Sequence, residues 1–130
     1  MIHRTLAVLF LMLVPVVAQA PSRQALILAP ECPTRDCPLL NGAPQTAGMR
    51  SGFVRLRPGT SVGWHSTGSN EESLVILHGA GEALIDGQPN RKFTAQQLVY
   101  IPPATRHNVT NTGNEVLEYV YVVARASATG

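Results

Sequence analysis

Beyond the first 20 residues the chain carries three histidines, His65, His78 and His107, and two of them keep company that can do chemistry. His65 and Thr67 stand two apart, so in an extended segment they share a face. Glu71 and Glu72 are consecutive, so only one of them can point the same way. His107 follows the stop Pro102-Pro103-Ala104. An imidazole, a carboxylate and a second imidazole on adjacent strands form a ligand set with open coordination positions. Such a set suits Fe(II) and is compatible with Mn or Zn. His65, His107 and one of Glu71 and Glu72 are therefore candidate ligands of a divalent transition metal. The same three residues also admit a metal-free reading, in which they hydrogen-bond one another.

The remaining polar and aromatic candidates read more plainly. Six residues of strand put His78 roughly 20 Å from Glu72, too far for one metal, so it is a turn or surface residue. Glu71 reads as a solvated strand-edge carboxylate. Trp64 faces away from His65 in an ideal strand, which suits packing under the N-terminal arm or at an interface. Arg55 and Arg57 alternate with Val54 and Leu56 and read as a solvated face. Tyr119 and Tyr121 share a face of the last strand, as core packing or a dimer sheet.

The elements that must position these residues are strands. β-branched and aromatic residues run between breakers at 51–57, 61–67, 72–77, 81–85, 98–101, 106–110 and 116–123. Asp86-Gly87 is a hairpin turn signal. Short strands at regular spacing without a helical period predict an all-β sandwich or small barrel over residues 49–124. Residues 21–48 hold Pro30, Pro33, Pro38, Asn41-Gly42 and Pro44 and read as an irregular arm, with an edge strand at 25–28. Residues 125–130 form a short tail.

Composition narrows the partners. Ten Lys+Arg against eight Asp+Glu, with no basic stripe, argues against nucleic acid. Residues 1–20 open with His3 and Arg4, continue through an apolar run and end on Ala18-Gln19-Ala20, the pattern of a cleavable secretory signal. The run is too short and too broken by Pro15 to span a bilayer, so the expectation is an exported, periplasmic or secreted protein free of the membrane once cut after Ala18 or Ala20. Cys32 and Cys37 are the only cysteines, and an oxidising compartment favours their pairing.

Two stretches resemble the paired motifs of the cupin superfamily, small single-domain type. Gly59, His65, Thr67, Glu72 and Gly79 have the spacing of the first motif, with Thr67 where the family has His. Pro102, Ala104, His107 and Asn111 have that of the second, where the family has Gly at the positions of Ala104 and Gln96. The resemblance implies a jelly-roll β-barrel, often holding a metal through three His and one Glu. Carried onto this chain, the ligands are His65, Glu72 and His107, with Thr67 in hydrogen-bond reach of a metal-bound water. It also implies a small-molecule ligand, a homodimer through edge strands, and, for an enzyme, a metal-dependent oxygenase, isomerase or lyase. The alternative is a metal-free cupin that serves as a binding or interaction module.

Overall fold

The structure is a computed structural model and describes residues 23–127. The expected signal segment, residues 1–20, lies outside the described residues. Eight strands follow one another: β1 (Asp36–Asn41), β2 (Arg50–Leu56), β3 (Asn70–His78), β4 (Ala80–Ile85), β5 (Arg91–Thr94), β6 (Leu98–Ile101), β7 (His107–Asn111) and β8 (Leu117–Arg125). Among the described residues there is no helix. A five-stranded sheet runs in the order β1-β2-β8-β3-β6 and a three-stranded sheet in the order β5-β4-β7, with every pairing antiparallel. The spacing of strands and breakers predicts the all-β barrel, and the jelly-roll is the one that the cupin resemblance implies.

Alternation explains how the two sheets close on one interior. On β3 the residues Glu72, Leu74 and Ile76 are buried while Val75 and Leu77 face outward. On β4 the buried positions are Gly81, Ala83 and Ile85. Leu56, Leu74, Ile76, Ile101 and Leu117 are at most 1% exposed and form the centre of the core. Leu56 pairs with Leu117, whereas the opposite end of the same two strands pairs Arg50 with Val123. The barrel thus has an apolar floor and an end where polar side chains line the interior.

Residues 61–67 were expected to form a continuous strand and do not. They run along β7 through isolated bridges, Ser61 to Thr110 and His65 to His107. The Gly63 amide leaves the ladder and donates to the Asn108 side chain instead, at 2.9 Å. Asn111 fixes the far end of β7. It is 1% exposed, its amide nitrogen donates to the Leu56 and Glu115 carbonyls, and its oxygen accepts from the Gly113 N–H.

Within the arm, β1 is a strand that the proline-rich sequence does not announce. It pairs with β2 and forms one edge of the larger sheet, with a register shift between Pro38 and Leu40. An edge tolerates Pro38, whose missing N–H faces no partner there. The edge strand expected at residues 25–28 is absent: the chain there is unpaired, and Leu26, Ile27 and Leu28 are exposed. Without a neighbouring strand, β propensity alone does not make one.

Cys32 and Cys37 are joined in a disulfide immediately ahead of and inside β1. Replacing both, Cys32→Ser with Cys37→Ser, is expected to cost at most about 2 kcal/mol, the entropy of closing so short a loop. Hydrogen exchange should quicken selectively in β1. Equal quickening in β1 and β3 would show instead that the loop supports the core.

Candidate metal centre

His65, Glu72 and His107 converge. Each offers a donor atom, and these atoms all lie within 4.8 Å of one another. The backbone sets the two imidazoles side by side. His65 N–H donates to the His107 carbonyl at 2.9 Å and His107 N–H donates back at 2.8 Å. In such a reciprocal pair the side chains leave the same face, and the ring centroids are 4.3 Å apart at 60°. β3 delivers Glu72 opposite Ile101 on β6 and Val123 on β8.

Both rings are held in one tautomer by the same device. His65 Nδ1 is 2.9 Å from the Gly63 carbonyl, and His107 Nδ1 is 3.0 Å from that of Thr105. A carbonyl only accepts, so each Nδ1 carries the proton. Each neutral ring then has its lone pair on Nε2, the arrangement in which imidazole ligates metal.

Glu72 Oε2 and His107 Nε2 are 3.1 Å apart, with side chains 6% and 1% exposed. Yet neither atom has a partner in hydrogen-bonding geometry. The contact is charge against dipole without direction, and two buried polar atoms left so are costly. An ion between them removes the difficulty, because it imposes no N–H angle. Two donors about 2.1 Å from one metal and at right angles lie about 3 Å apart, close to the 3.1 Å between these two atoms. The residues present fit a divalent ion.

The electrostatics agree. Burial by itself would lower the His107 pKa, but the adjacent Glu72 oxygen, the Thr105 carbonyl and the Glu72 charge outweigh it, and the net shift is upward. Burial, followed by the Glu72 charge, holds the Tyr119 phenol far above its usual range. Burial also raises Tyr121, aided by Asp36 and Glu72 and opposed by Arg50. Both phenols stay protonated, so each hydroxyl is able to donate a hydrogen bond to a molecule in the cavity.

These groups line a cavity of about 480 Å³, within the size range of small-ligand sites. Thr67 is on its wall, but in a turn rather than on a strand: its hydroxyl donates to the Asn70 carbonyl at 3.0 Å, and the Asn70 side chain donates back to the Thr67 carbonyl. The hydroxyl proton is thus committed, and only its lone pairs are free to face a water. Gln96 and Ala104 have φ of 67° and 54°. At both positions the left-handed backbone calls for the glycine that the cupin motifs carry.

Other residues fall as expected or are corrected. His78 is exposed, with Nδ1 against the Val116 carbonyl. Glu71 accepts from the exposed Tyr100 hydroxyl, and Arg55 pairs with Glu118. Trp64 is 45% exposed, with the Arg106 guanidinium 5.0 Å from its ring centre. Tyr119 belongs to the core as expected, yet with Tyr121 it also lines the cavity, a role the sequence reading did not give it. Arg35, Asp36 and Arg50 on the same wall were missed. For Arg50 the signal existed, since it shares strand parity with the buried Val54.

A family model described as Cupin domain matches residues 52–123, more than half of the chain. Over 81 residues the chain is 33% identical to the polyketide synthase CurC of Streptomyces cyaneus, covering 60% of this chain and 52% of that one. It thus spans about half the length of the curated relative it matches. A Cupin 2 conserved barrel domain protein from Salinispora arenicola is 27% identical, with TM-score 0.61 over 83% of this chain and 92% of its own. A predicted oxalate decarboxylase from Thermotoga maritima is 28% identical, with TM-score 0.55 over 59% and 66%. A cupin protein from Bacteroides fragilis, 21% identical with TM-score 0.63 over 83% and 88%, shares the fold. With the two motifs laid out on a jelly-roll and the family model matched along β2 to β8, this chain belongs to the cupin family.

Proposed function

We propose that the protein is an exported cupin that holds one divalent transition metal ion through His65, Glu72 and His107 and takes a small polar organic molecule into the adjoining cavity. The observation that carries this reading is the pair of buried, partnerless atoms, Glu72 Oε2 and His107 Nε2, facing each other at 3.1 Å. A divalent ion at this place supplies Lewis acidity to an oxygen of the bound molecule. The chain's own residues do the rest. The Gly63 and Thr105 carbonyls lock the imidazoles, Glu72 contributes negative charge, and Tyr119 and Tyr121 offer hydroxyl donors to the ligand. The relatives' names point to different chemistries, and we take the reaction from neither.

A metal-free binding module is the second reading. It is favoured by Thr67, a neutral side chain committed to Asn70 where the cupin motif has a fourth ligand.

Expression with residues 1–20 in a bacterial host, followed by purification from the periplasm, tests both parts. Intact mass should place the first residue at Gln19 or Pro21. Metal analysis should find about one ion per chain, lost to a chelator and restored by added Zn²⁺, Mn²⁺ or Fe²⁺. A chain that keeps Met1 refutes export. Protein that neither contains nor takes up metal moves the assignment to the metal-free module.

A further inference from the structure

The register of the larger sheet places a charge opposite the metal set. Arg50 on β2 pairs with Val123 on β8, and Val123 pairs with Glu72 on β3. All three line the cavity. Arg50 therefore stands level with Glu72, two strands away, about 10 Å between Cα atoms at ordinary strand spacing. Among the described residues the ion pairs join Arg35 to Asp36 and Arg55 to Glu118, and none engages Arg50. The cavity thus has Arg50, exposed and outside these ion pairs, at one side and the His65, Glu72 and His107 donors at the other. Val54, Val62 and Val109 supply apolar wall.

Tyr121 completes the Arg50 side. Its cross-strand partner is Gly52, where an added Cβ would stand 2.5 Å from the ring carbons and the hydroxyl. Only glycine leaves room for the ring to lie across β2. Arg50, Gly52 and Val54 share one face of that strand, so the phenol and the guanidinium belong to the same wall.

We propose that the cavity selects a small organic dianion, with an oxygen-donor head for the His65, Glu72 and His107 end and a second carboxylate, across a short carbon spacer, for Arg50 and the Tyr121 hydroxyl. This rests on the metal reading above and adds the substrate class. Arginine suits the role because its planar fork binds carboxylate in two parallel hydrogen bonds.

The test is calorimetric. Zn²⁺-loaded wild type is titrated with malate and with 2-hydroxybutyrate, which share head and chain length but differ in the second carboxylate. The next longer pair, 2-hydroxyglutarate and 2-hydroxyvalerate, covers the spacer. In at least one pair the diacid should bind about 10- to 100-fold tighter, the usual effect of a charge-assisted hydrogen bond. Arg50→Gln should erase that preference with metal content unchanged, and Arg50→Lys should restore part of it. Equal affinities within both pairs, or a preference that survives Arg50→Gln, overturn the proposal. Metal is counted in every sample first. A wild type that holds no zinc refutes the metal reading, and the same titrations on that protein then decide the Arg50 subsite by the same criterion.

Discussion

His107→Ala will strip the protein of its ion and weaken the fold in the same stroke. The side chain is fully buried, and its Nε2 stands 3.1 Å from the inner oxygen of Glu72. Without it two donors remain, His65 and Glu72, too few to retain an ion in an open site. Metal content should fall from about one per chain to background, with affinity reduced at least 100-fold, beyond the range typical of losing a supporting contact. The metal-free variant should also lose about 3–5 kcal/mol, because a buried carboxylate is left without a counter-charge. Adding Glu72→Gln to His107→Ala should return part of that stability while leaving the site empty. Metal analysis and thermal melts of the two variants read both effects. Unchanged metal affinity in His107→Ala would remove His107 from the ligand set and leave the cluster as core packing.

Gly79→Ala carries the largest expected effect away from the site. Gly79 turns the chain from β3 into β4 with φ of +82°. A Cβ there would stand 2.7 Å from the Val116 carbonyl oxygen and 3.0 Å from the Leu117 Cα. Both are backbone atoms at the entrance to β8, so no flexible side chain can yield. Left-handed strain and overpacking together should cost about 2–4 kcal/mol, a drop of about 10–30 °C in melting temperature for a domain this small. A shift of only a few degrees would mean that the β3–β4 turn relaxes around the methyl group.

Gly79 also shows why so much of the barrel was legible. Its spacing from His65 and Glu72 belongs to a motif, and a motif records positions that tolerate one backbone conformation or one donor. The strands β2, β3, β4, β6, β7 and β8 announced themselves by alternation between breakers, with ends off by a residue or two. β1 stayed hidden because Pro38 and its flanking turns mask the alternation, and only pairing with β2 makes it a strand. The short β5 escaped for a similar reason: Arg91 and Lys92 give it a polar face, and Phe93 alone is buried. The three donors could be named because motif spacing is a one-dimensional quantity. The opposite wall could not, because the Arg50–Val123–Glu72 row is a fact of register between strands far apart in sequence.

β1 hangs on the barrel by one neighbouring strand, and its disulfide ties it only to the residues just ahead of it. Five residues of the cavity wall, Arg35, Asp36, Pro38, Leu40 and Asn41, come from this strand and its flank, and Arg50 opens β2, all before the family match begins at residue 52. The three donors and much of the facing wall thus come from different stretches of chain. Changes in the first must respect a packed interior, whereas changes in the second meet solvent and a single edge. Descendants of a common barrel can keep the same three donors and diverge in what they receive, simply by rewriting a strap at the rim. Kinship in this family then foretells the centre of the chemistry more surely than the molecule that reaches it.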